Sequence, residues 1–466
     1  MNQRPSISTL GELKESGHIY RPLREELREN LLAKLRAGED PWPGLFGLQH
    51  TVIPQTERAI IAGHDIVLLG ERGQGKTRLL RSITQLLDEW VPVVQGSELR
   101  EHPFHPLLDS TRELIDAHGD HLRITWLPRS SRYSEKLATP DTSVADLIGD
   151  VDPMRVAEGR RLGDPETIHY GLIPRSNRGI VAINELPDLA ERIQVAMLNV
   201  MEERDIQIRG YTLRLPLDVL VVASANPEDY TNRGRIITPL KDRFGAEIRT
   251  HYPLELDNEL RVIRQEANLV AEVPAILLEI LARFTQALRT SDAVNQRAGV
   301  SARFAIAGAE TVSASALRRA AVRGEDHAVA RFVDLEAAVD VLAGKVEFES
   351  GEEGREWEIL GYLLRNATAE AVRGRVREID FAPLVEALDG TRTVSTGDNT
   401  TASEFLDSLP DLGDATLYDD LVAAFMVGDE QPNVGQRAMA IELGLETLFL
   451  SRKISKDSGE GDTIYG

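Results

Sequence analysis

Gly70, Gly75, Lys76 and Thr77 stand at the spacing of a phosphate cradle: a glycine, four residues, then Gly-Lys-Thr. Glycines at 70, 73 and 75 let the backbone wrap with its N–H groups inward, which Cβ atoms would hinder. The Lys76 ammonium suits the β- and γ-phosphates of a nucleoside triphosphate, and the Thr77 hydroxyl suits a magnesium ion. Glu71, Arg72 and Gln74 inside the loop and Arg78 after it complete the expected nucleotide contacts. A second group lies downstream, where the apolar run from Gly179 ends in Asn184-Glu185. In nucleotide hydrolases with such a loop, a neighbouring strand ends in Asp-Glu; the Asp holds the magnesium shell and the Glu polarises the attacking water. Here Glu185 is present and Asn184 takes the metal-side position. A neutral amide is a poorer partner for magnesium than a carboxylate, so slow hydrolysis is expected; Asp188 is the nearby acid that could compensate.

These groups need elements to hold them. Ile66 to Leu69 is a short apolar run of the kind that makes a buried parallel strand, and Leu79, Leu80, Ile83 and Leu86 recur at helical spacing behind the loop. Further buried strands are expected at 179–184, 219–223 and 247–252, another at 122–127, and a β-hairpin at 206–215. Helices are expected at 51–62 and 189–203, with a short one near 142–149, whereas 91–120 is polar with little periodicity. Alternating buried strands and helices indicate an α/β fold with a doubly wound, largely parallel sheet. Before it, Leu23, Leu27, Leu31 and Leu35 mark a helix from Pro22 to Gly38. After Pro253 the pattern is helical, over 258–268, 274–289, 301–319, 327–343 and 357–376. Residues 391–403 read as a flexible linker and 455–466 as a disordered tail. The expected domains are an N-terminal helical extension (1–40), an α/β nucleotide-binding domain (41–255), a helical lid (256–345) and a mainly helical C-terminal region (346–466).

The 466 residues carry a net charge of -22, and 42% are hydrophobic, so two or three domains with ordinary cores are expected. A uniform basic footprint for nucleic acid or anionic lipid is missing, which argues against both as partners. With no cysteine, thiolate metal sites and cysteine nucleophiles are excluded. No run spans a bilayer and the first residues lack a signal peptide's apolar core, so the expected setting is the cytoplasm.

The order of these features resembles the AAA+ ATPases, and within them the magnesium chelatase I-subunit and MoxR-like branch, over residues 41–305. LFGLQHTVIPQTERAIIAGHDIVLLGERGQGKT is similar to that branch's leading helix and Walker A loop. TSVADLIGDVDP and YGLIPRSNRGIVAINELPDL resemble its helix-2 insertion and Walker B strand. IQIRGYTLRLP, SANPEDY and LKDRFG resemble the pre-sensor-1 hairpin, the sensor-1 segment and the arginine-finger segment, and GVSAR a sensor-2 helix start. The resemblance implies that Asn226 orients the lytic water or contacts the γ-phosphate, and that Arg243 reaches the γ-phosphate on a neighbouring subunit. Arg303 would contact the phosphates from the lid, with Arg289 and Arg297 nearby, and Leu45, Phe46 and Gly47 would line the adenine pocket. Without that order of motifs, Arg243 would read as half of a surface pair with Asp242. The resemblance further implies ATP and Mg2+ as cofactors and a homo-oligomeric ring, a hexamer. It implies a motor that remodels or activates a partner, commonly one with a von Willebrand factor A domain. The alternative is the motor subunit of a magnesium chelatase, which inserts Mg2+ into a porphyrin. A transcription activator is a weaker reading, because the substrate-contacting loop motif of sigma-54 activators is not evident.

Overall fold

Ile66–Leu69 (β1) is buried along its whole length, as a strand covered on both faces must be. The computed structural model describes residues 3–158, 165–202, 205–208, 211–226, 234–295, 299–388, 392–426, 431–459 and 462–466. The chain divides into two units, Met1–His251 and Tyr252–Gly466. After β1 the first unit runs through β2 (Trp90–Val94), β3 (Ile124–Pro128), β4 (Tyr133–Leu137), β5 (Gly149–Val151), β6 (Ile168–Tyr170) and β7 (Gly179–Asn184). It ends with β8 (Asp205–Ile208), β9 (Tyr211–Arg214), β10 (Val219–Ala225) and β11 (Ala246–Arg249). Five of these strands make one parallel sheet in the order β11-β1-β10-β7-β4. The chain leaves β1 towards one edge and returns to its other side as β11. Such a reversal is the topological switch point outside whose carboxyl strand ends open α/β sheets bind ligands, here the ends of β1 and β10.

Side chains alternate across this sheet. Ile66, Leu68, Ile180, Ala182, Leu220 and Val222 pack with Leu79, Leu80 and Ile83 from the segment behind the phosphate loop. Val67, Leu69, Val181, Ile183, Val221 and Ala223 pack on the opposite side with Ile193, Met197 and Val200 of helix Glu191–Glu202. The sheet is therefore doubly wound, as its unbroken apolar runs predict. The early helix runs Leu23–Ala37 and stops at Gly38 in the left-handed conformation. It docks on this unit through Leu23, Leu27 and Leu31, while Leu35 stays exposed. Two ion pairs fix it: Arg24 with Asp65 at 2.9 Å, and Glu26 with the buried Arg132 at 2.6 Å.

In the first unit three expectations change. The strand near 122–127 exists as β3, but it pairs antiparallel with β2 in a separate two-stranded sheet. The polar stretch 91–120 holds most of β2 and a helix, Asp109–His118. The fifth strand of the main sheet is β4, Tyr-Ser-Glu-Lys-Leu, which sits at the edge with half its surface wet and so tolerates polar residues. The hairpin forms as β8 and β9, with its Arg209-Gly210 turn outside the described residues. Among the described residues no helix is long and apolar enough to cross a membrane.

In the second unit one core collects Leu260, Phe284, Phe304, Leu335, Leu360, Leu421, Leu443 and Tyr465. Its main helices are Leu256–Glu266, Ala275–Thr290, Ala302–Arg323, Phe332–Leu342, Glu356–Arg373 and Val434–Leu450. The segment expected to be a linker contains a strand, β12 (Val394–Gly397), with Val394 and Thr396 buried. The segment expected to be a disordered tail forms β13 (Lys456–Gly459) and β14 (Asp462–Tyr465), and the three strands pair in the order β12-β14-β13. Buried polar groups anchor this sheet. Lys456 Nζ donates to Glu336 at 2.6 Å and to Glu446 at 2.8 Å, and the Tyr465 hydroxyl donates to the same Glu446 carboxylate oxygen at 2.8 Å. Lys456→Ala leaves Glu446 buried without its cation, a situation that costs about 3–5 kcal/mol. Urea unfolding of the variant is expected to show a loss of that order; a loss under 1 kcal/mol would mean the strand pairing does not depend on the charge.

Candidate nucleotide site

The phosphate loop leaves β1 at Gly70, whose N–H donates to the Ala225 carbonyl at 3.1 Å. A Cβ at Gly70 would lie 2.0 Å from Thr250 Oγ1 and 2.2 Å from Gln74 Oε1, so only glycine fits. The buried Gln74 closes the loop on itself: its Oε1 accepts from the Glu71 N–H at 3.1 Å and from the Thr250 hydroxyl at 2.7 Å. Gly73 and Gly75 have φ of 76° and 77°, the left-handed region that β-carbons disfavour. Gly75 then caps helix Lys76–Ser82, which places Thr77 in its first turn. Thr77 is half-buried, and Arg72 and Arg78 are exposed.

Lys76 is folded into this loop, and the residue is 9% exposed. It donates to the Gly70 carbonyl, to the Glu71 carbonyl at 2.6 Å, and to Asn226 Oδ1 at 2.8 Å. Asn226 directly follows β10 and is buried. One hydrogen bond thus joins the two residues expected to meet the terminal phosphates, 150 positions apart in the chain. The rest of the SANPEDY segment, from Pro227, lies outside the described residues.

At the end of β7, Asn184 is held from both sides. Its Oδ1 accepts from the Ser224 hydroxyl at 3.0 Å and its Nδ2 donates to Glu135 Oε1 at 2.6 Å. Glu135, on β4, also accepts from Arg81 Nε and Nη2 at 2.8 and 3.0 Å and from the Tyr133 hydroxyl at 3.1 Å. Partial burial raises the Glu135 pKa, but the bonds from Arg81, Tyr133 and Asn184 outweigh it and hold the carboxyl below its ordinary value. The acid brought to Asn184 is therefore Glu135. Asp188 instead ends the single turn Leu186–Asp188, where its N–H donates to the Glu185 carbonyl at 2.9 Å. Glu185 has φ 56° and ψ 46°, a strained conformation for a non-glycine residue, of the kind that concentrates at functional sites. Its N–H faces Ser224 Oγ at 3.4 Å, so Ser224 serves both members of the pair.

Thr250, Ser224 and Glu135 are the residues that sequence reasoning missed. Thr250 follows β11, Ser224 is next to last in β10 and Glu135 is the middle residue of β4, and only strand register reveals what each of them faces. Thr77, Asn184 and Glu135 offer hydroxyl, amide and carboxylate oxygens, the hard donors that magnesium takes. Among the described residues no cluster of three acidic, histidine or cysteine side chains could hold a metal alone. Magnesium would then depend on nucleotide phosphates, its usual arrangement in such sites.

Leu45 is buried in the core beside Leu48 and Ile53, Phe46 is half-buried, and Gly47 turns the chain with φ 76°. Arg243 ends helix Thr238–Arg243 and pairs with Glu202, not with Asp242; both partners are exposed enough to exchange contacts. In the second unit Arg303 is exposed on the first turn of helix Ala302–Arg323, and its N–H is capped by the Ser301 hydroxyl at 3.0 Å. Arg289 is committed to structure: it grips the buried Glu259 at 2.8 Å and covers the Tyr252 ring. Arg297 lies outside the described residues.

The magnesium-chelatase subunit ChlI of Guillardia theta is 29% identical over 203 residues, which is 42% of this chain and 52% of that protein. The 38 kDa magnesium-chelatase subunit of Rhodobacter capsulatus is 26% identical over 226 residues, 46% of this chain and 56% of that one. By these matches the chain is related to the magnesium-chelatase I subunits. It spans about half the length of the curated relatives it matches. Residues 162–243 match the Sigma-54 interaction domain, the stretch from before the Walker B strand to Arg243. A chain of the BchI–BchD complex of magnesium chelatase is 21% identical, with 69% of this chain and 98% of that one covered and a TM-score of 0.36. In AAA+ terms the expected fold class is the one found: a P-loop α/β core with a parallel sheet, followed by a mainly helical region.

Proposed function

We propose that this chain binds ATP with magnesium and hydrolyses it, as a cytoplasmic ring motor that remodels or activates a partner protein. The observation that carries this reading is the Lys76–Asn226 hydrogen bond of 2.8 Å at the mouth of the sheet, with the strained Glu185 one strand away. Lys76 and the loop N–H groups hold the phosphates, and Thr77 offers its hydroxyl to the metal. Bound magnesium supplies charge neutralisation at the phosphates. Glu185 takes a proton from the attacking water, which the Asn226 amide orients. Arg243 completes the site of the neighbouring subunit, Arg303 reaches the phosphates from the lid, and Leu45, Phe46 and Gly47 border the adenine. Closure of each site by a neighbour requires a closed homo-oligomer, and we take it to be a hexamer. The proposed partner carries a von Willebrand factor A domain.

A second reading, the motor subunit of a magnesium chelatase, is favoured by its relatives, which are magnesium-chelatase subunits. Those matches cover less than half of this chain, which is why the general remodeller is preferred. Magnesium insertion into a porphyrin, once this chain is mixed with the two other chelatase subunits, would select the second reading. For hydrolysis itself, phosphate release by the purified protein is compared with that of Glu185→Gln. The variant is expected to keep ATP affinity and to lose roughly 10² in turnover, the contribution of a positioned general base. Equal turnover in the two proteins, with ATP bound in both, would remove Glu185 from the chemistry.

A further inference from the structure

Asn184 leaves the metal side of this site without the expected carboxylate, and the strand register shows where one stands. β4 pairs with β7 so that Glu135 lies beside Ala182 and Leu137 beside Asn184. Tyr133 and Ala182 belong to the core under the phosphate-loop helix, so Glu135, two residues from Tyr133, and Asn184, two from Ala182, are on that same face. Arg81, which grips Glu135 with two nitrogens, is four residues after Thr77 on that helix; residues at this spacing lie on one side of a helix. A continuous polar chain therefore runs from the Thr77 side of the helix through Arg81 and Glu135 to Asn184 and Ser224.

The identity of residue 184 fits this chain. The 2.6 Å contact from Asn184 Nδ2 to Glu135 Oε1 needs a donor on residue 184. An aspartate there would set two carboxylates against each other, and one of them would have to hold a proton or move away. Asn184 and Glu135 are two halves of one arrangement, in which the negative charge has moved from β7 to its neighbour β4.

We propose that Glu135 is the positioning residue that supplies the negative charge for the water shell of nucleotide-bound magnesium, with Asn184 as the hydrogen-bonding bridge. This rests on the nucleotide reading given above. It refines the expectation from Asn184 alone: the site keeps a carboxylate, placed one strand away.

The test is a titration of magnesium against the binding of a fluorescent ATP analogue, which needs no turnover. Glu135→Gln is expected to raise the magnesium midpoint by roughly 10-fold or more, the usual effect of losing an outer partner of a metal site. Its affinity for the analogue without magnesium should match the parent. Asn184→Asp alone should gain nothing and melt earlier, because it opposes two carboxylates. The exchanged pair, Glu135→Gln with Asn184→Asp, should bring the midpoint back towards the parent value. Glu135→Gln with an unchanged midpoint overturns the proposal, as does an exchanged pair that stays as defective as Glu135→Gln. If Glu135→Gln does not fold, the exchanged pair decides alone by the same midpoint. Lys76→Ala separates the two levels of inference: if it abolishes analogue binding while Glu135→Gln leaves the midpoint unchanged, only the role of Glu135 falls. If Lys76→Ala binds like the parent, the nucleotide reading itself fails.

Discussion

Lys76→Ala is expected to lower kcat/KM for ATP by at least ~10³, with most of the loss in binding. Loss of one preorganised donor to a phosphoryl group costs about 10²–10³, and Lys76 also carries a full charge in a largely dry loop. Its ammonium is satisfied by two loop carbonyls and Asn226, so it is already desolvated when the phosphates arrive. Alanine removes the donor and leaves three oxygens turned towards each other, which disfavours the loop conformation as well as the ligand. Calorimetric titration of ATP with magnesium checks this, and circular dichroism shows that the fold persists. An ATP affinity within threefold of the parent would mean that the loop does not hold phosphates. Lys76→Arg should fail too, because a planar guanidinium cannot converge on the same three oxygens as a compact ammonium.

That loop was legible because its information is local. Gly70 to Thr77 is a contiguous pattern, and the left-handed Gly73 and Gly75 need nothing beyond their own backbone. The apolar runs of β1, β7 and β10 were legible for a related reason, since a strand buried on both faces can contain little else. Helices of the second unit followed from their 3.6-residue period, as in Ala275–Thr290. Strands β4 and β13 gave no such signal. β4 has one neighbour and a half-wet surface, so Tyr-Ser-Glu-Lys-Leu resembles a loop, and Glu135 stayed hidden with it. β13 reads Lys-Asp-Ser-Gly and is held by the pairing of Lys456 with acids 10 and 120 residues away, which no local window contains. Ser224 and Thr250 were missed because a hydroxyl at a strand end is ordinary until register shows what it faces. The contact Arg243 does make was hidden for the same reason: Asp242 is adjacent in sequence, but Glu202 is adjacent in the fold.

Arg243→Ala is expected to cut turnover by about 10³ while leaving ATP affinity nearly intact, the signature of an arginine that acts on the transition state of a phosphoryl transfer. The Arg243–Glu202 pair is exposed on both sides, and such pairs contribute at most about 1 kcal/mol. Exchange of Glu202 for the phosphates of a neighbouring subunit is therefore inexpensive, and its loss should barely change the melting temperature. A defect in turnover without a defect in stability separates a finger from a structural ion pair. Mixing decides whether it acts in trans. Arg243→Ala subunits keep an intact phosphate loop and lack the finger; Lys76→Ala subunits lack the loop charge and keep the finger. Neither population turns over alone, but in a mixed ring an Arg243→Ala site can face the Arg243 of a Lys76→Ala neighbour. Turnover should rise on mixing, reach its maximum near equal proportions and fall on dilution below the assembly concentration. If each subunit used its own Arg243, both variants would be dead in every mixture, and a flat mixing curve from co-assembled subunits would place the finger in cis.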